Sequence, residues 1–112
     1  MAAIANLLID QGASFSSTIT VFNDDDSLFD LTGHTGASQI RKSYSSSSAS
    51  ATFTVSFATD RTSGEITISL TPTQTAALEE GRFVYDVELT LDDTTIERVQ
   101  QGIITVSPQA TK

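Results

Sequence analysis

The run from Phe83 to Leu91 constrains this chain most: Phe83, Tyr85, Val87, Leu89 and Leu91 alternate with Val84, Asp86, Glu88 and Thr90. A period of two puts the first set on one face of a β-strand and the second on the other, whereas a helix would scatter both around its circumference. The sequence therefore predicts a long strand with one buried face at the centre of the fold. The same period recurs in Phe15, Ser17, Ile19 and Val21, in Phe53, Val55 and Phe57, and in Ile66, Ile68 and Leu70. Asp92-Asp93 supplies a hairpin turn, and Thr95 to Val106 returns as the last strand, with Gly102 the expected bulge where the phase of burial changes.

Weaker signals fill the remainder. Ile4 to Ile9 reads as an opening strand turned at Gln11-Gly12, and Asn23 to Ser27 as a turn built on Asx side chains. Leu28 to Leu31 resumes apolar character, with Leu31 placed to plug the core beneath a corner at Gly33. Gly33 and Gly36 fit a change of strand direction, by positive φ or close approach, before a strand over Thr35 to Lys42. Ser43 to Ser50 is a low-complexity hairpin tip or mobile loop. Thr71-Pro72-Thr73-Gln74 opens a short helix reaching at most Glu80, with Thr71 as cap, Gln74 closing a capping box and Gly81 ending it. Seven or eight short strands with one helical turn near 72–80 describe an all-β, immunoglobulin-like antiparallel sandwich; a small barrel is the competing architecture.

With 112 residues, 38% of them hydrophobic, the chain suits a single sandwich domain over 1–112, residues 1–10 forming an N-terminal arm or edge strand. The absence of Cys removes disulfides, thiolate catalysis and zinc-thiolate sites, and one His leaves little for metal or acid–base chemistry. Fourteen Asp and Glu against six Lys and Arg give a net charge of -8, which disfavours nucleic acid and anionic membrane as partners. No stretch reads as a signal peptide or membrane span, and no cofactor or metal is expected.

Several motifs stand in a recognisable order: Asp10-Gln11-Gly12-Ala13-Ser14-Phe15, then Asp30-Leu31-Thr32-Gly33-His34-Thr35, then Gln39-Ile40-Arg41. Leu78 to Leu89 follows, and Gly102-Ile103-Ile104-Thr105-Val106-Ser107-Pro108 closes the series. In this order the chain resembles small tailed-phage virion proteins whose immunoglobulin-like domain is similar to the N-terminal domain of baseplate upper proteins. The resemblance spans nearly the whole chain. It implies a non-enzymatic virion structural protein that docks as an adaptor or decoration on the tail, baseplate or fibre apparatus. It implies other virion proteins of tail, baseplate, neck or capsid as partners, a homo-oligomer or several copies per particle, and synthesis in the host cytoplasm. A capsid decoration protein and a carbohydrate-binding adhesion module are the alternatives. Phe83 stands where the family's pattern has a corner Tyr, which puts a hydrogen-bonded tyrosine corner in doubt.

The residues expected on an interaction surface are Ile4, Leu7 and Ile9 of the opening strand, Tyr44 of the Ser-rich tip, Asp86 and Glu88 on the outward face of the long strand, and Asp92 and Asp93 at its turn. Gly33, Gly36 and Gly81 are structural turn positions. Asp86 and Glu88 have the chemistry of a glycosidase pair, but a solvated or partner-facing surface is the simpler reading. Asp24-Asp25-Asp26 lacks the spacing of a calcium loop and reads as turn chemistry. His34 reads as structural, and Arg82 and Arg98 as surface partners of Glu80 or Glu97.

Overall fold

The computed structural model describes residues 3–23, 25–91 and 94–110. Asp24, one residue of the turn read at Asn23 to Ser27, and Asp92 and Asp93, with the hairpin turn placed on them, lie outside the described residues. Among the described residues nine strands form: β1 Ala3–Ile4, β2 Leu7–Asp10, β3 Phe15–Thr20, β4 Thr35–Arg41, β5 Ala51–Thr52, β6 Thr54–Phe57, β7 Glu65–Leu70, β8 Gly81–Thr90 and β9 Ile96–Ser107. β1 with β2 is one strand interrupted for two residues, so eight strand positions remain among the described residues, and β5 with β6 is one run broken at a single residue. They divide into two sheets, A in the order β1/β2, β9, β8, β4, β5, and B in the order β3, β7, β6. The protein is an immunoglobulin-like β-sandwich.

Period-two patterning accounts for the sandwich. Phe83, Tyr85, Val87 and Leu89 of β8 and Ile104 and Val106 of β9 face Ile19, Ile66, Ile68 and Leu70 of sheet B, all buried. The chain changes sheets at Phe53, between β5 and β6, and this ring lies 5.8 Å from Phe15 and 6.2 Å from Tyr85. Leu31 is fully buried with Ile66 and Leu89, as the sequence predicts. The 31–34 corner turns on Gly33 at φ 79°, and it is pinned by Arg61, whose guanidinium donates to the carbonyls of Leu31 and His34 at 3.1 Å. Gly36 lies where a Cβ would press on Val55, which is the close-approach reading of that position.

Three expectations are corrected. The helix, α1, covers only Pro72–Ala76; Thr71 and Gln74 close the capping box, but the cap at the other end is Ala77, and Gly81, at φ 126°, opens β8 instead of ending the helix. The bulge of β9 is at Val99, because Val87 pairs with Gln100 and Glu88 with Arg98. Gly102 is there for a different reason: the Ala5 carbonyl of the arm occupies the space a Cβ would need. Finally, β1 and β2 run parallel to β9, while the other ladders are antiparallel.

Candidate functional site

The expected surface residues separate by parity along the arm. Ile4 is 76% exposed and Leu8 61%, whereas Ile9 is 0% exposed and belongs to the core, with Leu7 half-buried against it. Ile9 is therefore withdrawn from the interaction surface, and Leu8 replaces it. The reason is register: Ile9 pairs with Val106 and Leu7 with Ile104, both inward residues of β9. Leu8 could have been found by applying the alternation to this short segment.

Across sheet A the outward residues form two zones. Ile4 and Leu8 are joined by Ile103 of β9, itself exposed and paired with Val84 of β8, making an apolar strip along the arm side. Asn6 positions the strip, because its side-chain carbonyl accepts the Ile103 N–H at 3.0 Å between β1 and β2. Beyond Val84 the face becomes polar: a shallow groove of about 310 Å³ is lined by Gln39, Arg41, Tyr44, Asp86, Glu88 and Arg98. Tyr44 is well exposed at its rim, as expected of the Ser-rich tip. That tip is ordered by Arg41, which donates to the Ser46 carbonyl at 3.0 Å, and by Ser46, which accepts the Ser43 N–H at 3.1 Å. Arg98 pairs with Asp86 at 3.3 Å instead of Glu97, because the Val99 bulge sets Arg98 beside β8's outward row. A partly exposed pair of this kind contributes about 0–1 kcal/mol.

Beneath this face, the Tyr85 hydroxyl donates to the Ala5 carbonyl at 2.7 Å and accepts from the Gln100 side chain at 2.8 Å. The network ties the arm through β9 to the core, a role that sequence periodicity does not reveal. Burial pushes the Tyr85 hydroxyl above its ordinary value of 10.0, with the Gln100 hydrogen bond opposing the rise. Gln11 secures the other end of the arm, donating to the Leu78 carbonyl at 2.6 Å and accepting the Gln109 N–H at 3.1 Å.

Part of the acidic excess serves turns. Asp25, Asp30 and Asp60 each accept the backbone N–H and the hydroxyl of the Ser or Thr two residues on. The hydroxyl and amide bonds hold the Asp25 and Asp30 carboxyls below their ordinary value of 3.8. His34 packs on Phe29 with ring centroids 5.6 Å apart.

The fold and this face define an immunoglobulin-like sandwich with an apolar and charged outer sheet. No family model matches the chain, and no curated protein does. Among solved structures it is similar to CopC from Methylosinus trichosporium OB3b, with 15% identity, a TM-score of 0.49, and coverage of 93% of this chain and 87% of that one. It is also similar to an internalin-like protein of Listeria monocytogenes, with 17% identity, a TM-score of 0.46, and coverage of 95% of this chain and 28% of that one. A family 123 glycoside hydrolase from Clostridium perfringens gives 11% identity, a TM-score of 0.43, and coverage of 95% and 23%.

Proposed function

We propose that the protein is a non-enzymatic structural protein of a tailed-phage particle, docking as an adaptor or decoration on the tail, baseplate or fibre apparatus. The ordered motifs from Asp10 to Pro108 support the particle context. The observation that carries docking is the apolar strip of Ile4, Leu8 and Ile103 lying outward on sheet A beside the charged row of Asp86, Glu88 and Arg98. Large exposed apolar side chains rimmed by polar ones mark interaction surfaces. Copies held on a symmetric particle would combine modest contacts through avidity.

Mass spectrometry of purified particles, with copy number, tests this reading. The chain is expected at the multiplicity of tail or baseplate components; the multiplicity of the head lattice would move it to capsid decoration, and absence from particles would end the proposal. Ile4→Ser with Leu8→Ser is expected to reduce its incorporation while leaving the isolated domain folded.

A further inference from the structure

The flank of the sandwich opposite β5 and β6 carries a second surface that the outer-face reading leaves unused. β3 ends sheet B, and among the described residues no strand pairs with its other side. The Val21 N–H donates to the Gly64 carbonyl, so by antiparallel alternation Ser17, Ile19 and Val21 bond toward β7. The main-chain groups of Ser16, Thr18 and Thr20 then face outward. Phe22 continues this row: its bridge to Leu28 is made through Val21, Asn23, Ser27 and Phe29, leaving its own N–H and C=O on the open side. An edge is normally blunted by charge, proline or a bulge, and Phe15–Thr20 contains none of these.

Beside this edge, between β3 and the start of β9, runs a groove of about 660 Å³. Val21, Phe22, Phe29 and Val99 supply its apolar wall, and Asp26 and Glu97 its charge; among the described residues that line it none is Lys or Arg. Phe22 is 53% exposed.

We propose that this edge and groove accept an extended segment of a partner protein by strand addition, its alternate apolar side chains entering the groove and Lys or Arg meeting Asp26 and Glu97. Main-chain bonds to Thr18, Thr20 and Phe22 provide attachment, and the groove provides selection. Charge chooses the partner over a second copy. Two copies joined along β3 would bring together two chains of net charge -8, whereas a basic segment brings the opposite charge to Asp26 and Glu97.

This inference rests on the assembly role, but particle mass spectrometry judges that role independently. Failure of the edge would leave docking to the outer face of sheet A.

The test uses the full chain, isotopically labelled, titrated with a synthetic peptide of alternating Val and Lys and with its Val and Glu counterpart. The Val/Lys peptide is expected to protect the Thr18, Thr20 and Phe22 amides from exchange, and the Val/Glu peptide to bind at least ~10-fold more weakly. Thr18→Pro removes an outward N–H without taking a bond from the β7 ladder and is expected to abolish the protection. Glu97→Lys, an exposed change, neutralises the groove and is expected to erase the ~10-fold peptide preference, and it decides the matter if Thr18→Pro does not fold. Absence of protection with both peptides, equal affinity for them, or Val/Lys binding that survives Thr18→Pro would overturn strand addition to a basic segment. Concentration-dependent protection of Thr18 without peptide would assign the edge to a second copy and overturn the partner.

Discussion

The arm β1–β2 and strand β3 border the same flank of the sandwich, yet they are held differently. The arm lies on β9 through a short parallel ladder, broken at Ala5 and Asn6, and is fastened there by side chains: Tyr85 to Ala5, Asn6 to Ile103 and Gln11 to Leu78. β3 runs unbroken for six residues against β7 with outward Ser and Thr side chains. A parallel ladder this short gains little from its backbone alone, so the arm depends on polar fasteners that specify one position. β3 needs none, and its free side remains a template. The difference separates an edge specified from within from one available to a partner.

Substitutions beneath the two edges test that contrast with the largest effect. Ile104→Ala, under the arm, is expected to cost about 2–5 kcal/mol in urea unfolding. Ile19→Ala, beside the open groove, is expected at the lower end of that range, because water can reach the space; equal losses would argue that the groove is closed in solution. Gly102→Ala pushes a Cβ into the Ala5 carbonyl and is expected to cost about 1–3 kcal/mol by displacing the arm. Amide shifts should then move on β1 and β9 while β3 keeps its spectrum. Tyr85→Phe retains the ring but leaves the Gln100 side chain and the Ala5 carbonyl without this partner, at about 1–3 kcal/mol.

The same hydroxyl gives the arm a pH dependence. Its folded pKa is raised above 10.0, so the folded state keeps a proton that the unfolded chain releases. The stabilisation from the neutral hydroxyl is complete below pH 10 and declines as pH rises through the folded value. Thermal melts should show this alkaline decline in the native chain and lose it in Tyr85→Phe. The smallest effect belongs to the outer face: Arg98→Ala is expected to change stability by less than ~1 kcal/mol, since its pair with Asp86 is partly exposed.

Legibility in the sequence followed the same division. The interior of β8 was readable because Phe83, Tyr85, Val87 and Leu89 obey one uninterrupted period, and α1 because Thr71, Pro72 and Gln74 are a local capping code. The outward placement of Asp86 and Glu88, half-buried on the outer face, follows from that phase. Ile9 falls in the core and not on the surface that its sequence suggests, because a six-residue, mostly apolar stretch carries no visible parity until β9 fixes its register. The Tyr85 bond to Ala5 joins residues 80 apart, and nothing local announces it. Gly102 announced a special backbone position but not its cause, since a bulge and a close approach look alike from one glycine. The open side of β3 was invisible for another reason: an edge is defined by which strand is missing beside it, a property of the whole topology.

Native-state amide exchange on the free, full-length chain tests the central contrast most directly. Ser17, Ile19 and Val21, bonded to β7, are expected to exchange slowly, while Ser16, Thr18, Thr20 and Phe22 exchange near the rate of open chain. Slow exchange at Thr18 and Thr20 in the isolated monomer would contradict the account, because it would mean that the edge assigned to a partner is already covered.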